Sequence, residues 1–218
     1  MERAAVPERD PTATRGDTAR LTTAMERVGW SPADPAPLGL AGFAMTTFVL
    51  SMFNAQLVNS GGEPVVLGLA VAYGGLAQLL AGMWEFRNGN TFGAVAFSSY
   101  GAFWISFFVL VMFNASSFPD PMVAGHAIGL YLWAWAIFTT YMFLASLRTT
   151  AAVALVFLLL ATTFILLGAG NSGLNDSVIK WGGYIGIATA AAAWYASFAV
   201  VINSTFQRTV LPVVPLAR

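Results

Sequence analysis

Cysteine is absent from the 218 residues, and histidine occurs once, as His126. Thiolate chemistry, disulfides and iron–sulfur ligation are thereby excluded, as are bis-histidine haem and polyhistidine zinc sites. Charge is scarce too. Asp, Glu, Lys and Arg make up 9% of the chain, against about 25% in an ordinary soluble domain. The 10 basic and 10 acidic side chains cancel, which leaves no basic excess to hold nucleic acid. Neither a Walker-type glycine loop nor Gly-x-Gly-x-x-Gly nor Gly-x-Ser-x-Gly occurs, so nothing here couples to ATP or builds a nucleophile elbow. The expectation is a chain with no catalytic residues, metal or cofactor, and not an enzyme.

What is present is apolar. Hydrophobic residues make up 57% of the chain and mean hydropathy is +0.70, which points to a membrane protein. Charge divides the chain into two regimes. Residues 1–37 hold five Arg (Arg3, Arg9, Arg15, Arg20, Arg27) and six acids (Glu2, Glu8, Asp10, Asp17, Glu26, Asp34) among Pro, Thr and Ala. With no long apolar run, residues 1–33 read as a disordered cytoplasmic tail. No apolar stretch follows the early Arg residues as a signal peptide requires, and helix propensity offers at most a short helix around Arg20–Val28.

From Leu38 onward the runs free of charge are 38–62, 64–84, 88–119, 121–147, 149–175 and 181–207. A helix crossing an apolar core of about 30 Å needs about 20 residues. Trimmed at turn residues, the runs predict six spans near 38–58, 65–86, 93–113, 123–146, 149–169 and 178–202, an all-α bundle occupying 34–206. A β-barrel would show shorter, alternating stretches. Arg falls in the N-tail, at Arg87, at Arg148, and in the tail 207–218 at Arg208 and Arg218. The positive-inside rule then places both termini in the cytoplasm, in a multi-pass protein of the cell membrane.

The polar and small residues of the spans fall on faces. Gly75, Gln78, Gly82 and Glu85 share one face of the second span, Thr47, Ser51 and Asn54 one face of the first, and Gly186, Thr189 and Ala193 one face of the sixth. Gly182 and Gly186 form a close-approach pair, and the third span carries Ser98, Ser99, Tyr100 and Gly101. Helix packing in lipid accounts for such faces. They also suit a narrow path for a small solute, for which Thr47, Asn54, Gln78, Ser99 and Thr189 are candidate lining groups. Glu85 reads either as an interfacial partner of Arg87 or as a proton-responsive acid beside the path. His126 reads as a solvated or capping residue, or as a proton sensor. Lys180 lies too near a span end, in a bundle one helix short, for a retinal Schiff base.

Asp34, Pro35, Ala36, Pro37, Leu38, Gly39 and Leu40 resemble the Asn-Pro-Ala-Pro-Leu-Gly-Leu signature of the acetate uptake transporter family, the bacterial succinate–acetate permeases and fungal acetate/ammonium exporters. Further motifs follow in the same order: Tyr73-Gly-Gly-Leu-Ala-Gln78 with Ala81, Gly82 and Glu85; Gly89-Asn-Thr-Phe-Gly93 with Phe97-Ser-Ser-Tyr-Gly-Ala-Phe-Trp104; and Phe206-Gln-Arg-Thr-Val-Leu-Pro212. The resemblance covers about residues 34–212. It implies a six-helix protomer in a homo-hexamer, with a path inside each protomer for acetate, in some members succinate, and protons. It also implies a hydrophobic neck, whose Phe, Tyr and Leu fall on Phe43, Tyr100 and Leu160. Two positions depart from the family pattern: Asp34 stands where the signature has Asn, and Val213-Val214 where a Gly is expected.

The physics of such a path is restrictive. A bare carboxylate in hydrocarbon is costly and sooner takes a proton, and no Lys or Arg lies mid-span to hold it. Hydroxyls, amides and helix N-termini are left to stabilise it, or it passes neutral through the neck. A passive anion channel and a structural or signalling membrane subunit are the alternatives to a proton-coupled transporter.

Overall fold

The computed structural model describes residues 32–216, so the expectations for the N-terminal tail up to residue 31, including its short helix, fall outside the described residues. A compact unit begins at Asp34, and all that follows concerns it. Six helices are long and apolar enough to cross a membrane: α1 Ala36–Asn54, α2 Val65–Arg87, α3 Thr91–Ser117, α4 Pro121–Ser146, α5 Ala151–Ser172 and α6 Asp176–Phe206. Among the described residues the only β-structure is an isolated bridge between Thr150 and Pro215.

Helix boundaries follow local chemistry. Four helices start under a side chain that accepts a backbone N–H of the first turn: Asn90 from Gly93 (3.1 Å), Asp120 from Val123 (2.9 Å), Thr150 from Val153 (3.3 Å) and Asn175 from Val178 (3.2 Å). Each satisfies a donor that the helix cannot satisfy itself. Asp34, where the signature has Asn, also accepts, from the N–H of Ala36 at 2.9 Å.

Span ends differ from the sequence expectation by up to four residues, most at the ends of the first, third and sixth spans. The first span ends four residues early, at Asn54, because Gln56 turns the chain at φ 57°. The third runs on to Ser117 through a π-helical segment, Leu110–Asn114, and a 3-10 turn. Polar residues that read as loop are held there by the preceding helix. A second π-helical segment, Ala72–Ala77, interrupts α2 at the Gly74-Gly75 pair.

Around the bundle the helices follow the order α3, α2, α1, α6, α5, α4. Lipid is as apolar as a side chain, so close packing rather than water exclusion holds such neighbours together. Glycine supplies the close approach at several seams. A Cβ on Gly42 would sit 2.5 Å from the Tyr73 carbonyl oxygen, one on Gly82 would sit 2.3 Å from Ser98 Oγ, and one on Gly129 would sit 2.1 Å from Ser172 Oγ. The small-residue faces on α2 and α6 are thus packing faces. Hydrogen bonding adds to α1–α6, where the Ser197 hydroxyl donates to the Pro37 carbonyl at 2.7 Å. The seam between α3 and α4 differs. It is filled by rings, with Phe103 5.1 Å from Trp135 and 5.8 Å from Tyr131, and Tyr100 5.4 Å from Phe138.

The segment after α6 is tied down. Ala151 and Ala152 donate to the carbonyls of Val214 and Val213, Leu216 donates to Thr149, and the Tyr195 hydroxyl donates to Pro212. The free N–H groups that open α5 are satisfied by the chain's own C-terminal segment. Outward faces are apolar, as at Leu130 and Ile137, and suit contact with lipid.

Candidate functional site

Side chains from α1, α3, α4 and α5 enclose a cavity of about 290 Å³. It occupies the half of the bundle that carries the α1–α2, α3–α4 and α5–α6 connections. One face of α1 supplies Thr47, Ser51 and Asn54, α5 supplies Thr163 and Asn171, and α4 supplies Tyr131. The lining residues deepest along their helices are Phe43, Phe103, Leu132 and Leu160, and these form the cavity floor.

Beneath the floor the core is aromatic. The Tyr100 ring lies 5.8 Å from Phe43, 5.9 Å from Trp135 and 6.1 Å from Phe157. Its hydroxyl forms a 2.9 Å hydrogen bond with the Thr139 hydroxyl on α4. Phe43, Tyr100 and Leu160 are 4%, 2% and 3% exposed and belong to one hydrophobic cluster. The backbone explains the convergence. Phe43 lies seven residues into α1, about 10.5 Å at 1.5 Å per residue. Tyr100 and Leu160 lie nine residues into their own helices, which run in the same direction. Three side chains at matched depth therefore fall in one buried cluster.

The other candidates separate into two groups. Thr47 and Asn54 line the cavity. Thr189 on α6 stands behind it, 3.2 Å from the hydroxyl of Thr163. Gln78 and Ser99 do not line it. Gln78 is buried in the α2 face that packs on α3, and its Oε1 has no partner among the described residues.

Glu85 lies at the opposite end of the bundle from the cavity, 2% exposed, and accepts a 2.9 Å hydrogen bond from the Asn90 amide. Asn90 in turn caps α3, so the acid is wired to a helix start. His126 is exposed on α4. Among the described residues no three His, Cys, Asp or Glu gather to hold a metal ion.

Several lining residues carried no signal in the sequence. Tyr131 and Thr163 look like any others in apolar helices. Glu63 carried a weak one, as the single acid between two charge-free runs. It lines the cavity too.

The polar groups present are hydroxyls, amides and one acid above an apolar floor. Such a chamber can hold a small polar solute without a fixed cation. Known proteins share this architecture. Acetate permease A of Emericella nidulans is 45% identical over 195 residues, covering 83% of this chain and 65% of the relative. The succinate-acetate/proton symporter SatP of Escherichia coli is 39% identical over 181 residues, covering 83% of this chain and 95% of that protein. This chain therefore spans just under two thirds of the fungal relative and nearly all of the bacterial one. The solved structure of the bacterial acetate channel SatP superimposes with a TM-score of 0.77 at 39% identity, covering 84% of this chain and 99% of its own. A profile of the GPR1/FUN34/yaaH family matches residues 21–218, and the chain belongs to that family.

Proposed function

We propose that this protein carries acetate and similar small monocarboxylates, with succinate as a further substrate, across the cell membrane through the interior of each protomer. The observation that carries this reading is the chamber above Phe43 and Leu160, enclosed by four helices and closed at its floor by rings. The named activities of the relatives agree with it.

Phe43, Tyr100 and Leu160 form the neck. A two-carbon solute presents one methyl and one carboxyl, and a gap among aromatic and aliphatic side chains passes the first and rejects hydrated ions. Thr47, Asn54 and, through Thr163, Thr189 offer hydrogen bonds above the neck, whereas Gln78 and Ser99 would serve the path only below it. Protonation removes the cost of placing a carboxylate between Phe43 and Leu160. Proton-coupled passage therefore suits this neck, with Glu85 as an acid at the far end.

Passive conduction is the second reading, favoured by the likeness to a solved acetate channel. One preparation separates the two. Protein purified in mild detergent is expected to sediment as six protomers, and in liposomes to accumulate labelled acetate uphill on an inward proton gradient. Uptake that never exceeds equilibrium leaves the channel reading, and no uptake at all removes transport.

The Arg-bearing ends support a cytoplasmic placement of both termini. Single cysteines introduced into this cysteine-free chain test that placement. Gly62→Cys is expected to react with an impermeant maleimide from outside intact cells and Gln207→Cys only after lysis. The reverse pattern inverts the topology.

A further inference from the structure

Glu63 is the one ionisable carboxyl among the residues that enclose the cavity. Its backbone is fixed at both ends: the N–H donates to Ser60 at 3.0 Å, and the carbonyl accepts from Val66 at 2.9 Å as α2 begins after Pro64. The residue is therefore carried at the cavity by a hydrogen-bonded turn rather than by a loose loop. It is half-buried, and among the described residues its side chain makes no hydrogen bond or ion pair. Resting on the transport reading above, we propose that Glu63 is an electrostatic gate for the carboxylate substrate: ionised, it repels the anion from the chamber, and protonated, it admits the anion and donates a hydrogen bond to it.

The surroundings decide how strong the gate is. Of the helices sharing the cavity, α1 and α5 carry no ionisable side chain at all. From α3 and α4 the only titratable lining group is Tyr131, whose hydroxyl is engaged by Ser106 at 2.7 Å; Tyr100 lies beneath the floor on Thr139, and Tyr141 lies deeper along α4. Asp120, His126, Asp176 and Lys180 belong to the same end of the bundle but do not line the chamber. No cation of the lining offsets the Glu63 charge, and low-dielectric walls let it act over the whole mouth. Burial moves the Glu63 carboxyl above the ordinary carboxylate range. The sign follows: as pH falls, Glu63 loses its charge earlier than a solvated Glu, and the gate opens.

Speciation of the substrate also varies with pH, so the test compares variants at equal pH. In liposomes containing the full chain, Glu63→Gln is expected to lower the acetate KM about three- to tenfold against the wild type at pH 7.5, with the two converging to within about twofold at about pH 4, below the ordinary Glu pKa. Glu63→Asp keeps the charge and is expected to retain the wild-type pH profile. A Gln variant whose KM tracks the wild type at both pH values overturns the gate. So does one that loses uptake equally at both pH values while the Asp variant does not. Wild-type protein that moves no acetate at any pH overturns the transport reading instead.

Discussion

Leu160→Ala is expected to keep acetate transport and to gain a bulkier monocarboxylate such as lactate. Leu160 stands on the cavity floor with Phe43, and removing three carbons there widens the gap over the aromatic layer. Truncating an ordinary core leucine costs about 2–5 kcal/mol, and the resulting loss of folded protein would reduce uptake of both solutes in step. A neck residue behaves differently, because part of the space vacated joins a cavity that already exists. The selectivity ratio should therefore shift even where yield falls. Phe43→Ala is expected to move the ratio in the same direction. Its ring packs on Tyr100, whose hydroxyl is held by Thr139, so the tyrosine stays anchored when Phe43 is lost. Competition uptake of labelled acetate against lactate, normalised to protein in the membrane, measures this. An unchanged ratio would assign both residues to packing alone.

Gly183→Ala is expected to leave little assembled protein, although it adds one methyl group. The new Cβ would lie 2.2 Å from the Ala55 nitrogen and 2.6 Å from the Asn54 carbonyl carbon, both backbone atoms at the end of α1. No rotamer can relieve a clash with backbone, so α6 must move off α1. Overpacking in a close-packed core costs about 1–3 kcal/mol, and more where nothing can give. Such a cost is large against a total stability of about 5–15 kcal/mol. Gly68→Ala is the matched control. Its Cβ meets nothing within 4 Å, and alanine is the better helix former by about 1 kcal/mol. Membrane-extracted yield and thermal aggregation of the two variants are expected to diverge sharply. Equal yields would mean that the α1–α6 contact is looser than the structure shows.

The six spans and their order were legible because lipid imposes a simple demand: about 20 residues free of charge, with every backbone group satisfied within the helix. Turn residues then marked the connections, and Asn90, Asp120, Thr150 and Asn175 start the helices that follow them. The span ends were less legible. Ala55 and Gln56 read as a continuation of α1, and only the left-handed backbone at Gln56 stops it. The neck residues became visible through likeness to a family. Periodicity alone gives Phe43 and Leu160 no distinction from their apolar neighbours.

Apolar length, scarce charge and the order of its motifs determined that this is an all-α, six-span membrane protein of a particular family. Those properties belong to segments read one at a time. The tertiary structure decided which faces look inward. Both Gln78 and Thr47 lie on polar faces, yet α3 covers the first while the second faces the chamber. Glu85, read as a partner of Arg87 or an acid beside the path, is buried and bonded to Asn90, while Glu63, a lone acid in a connection, lines the cavity. The physical reason is that a helix fixes which residues share a face but not its rotation against five neighbours. That rotation comes from backbone contacts at glycines such as Gly42 and Gly183, which form only when the helices are assembled.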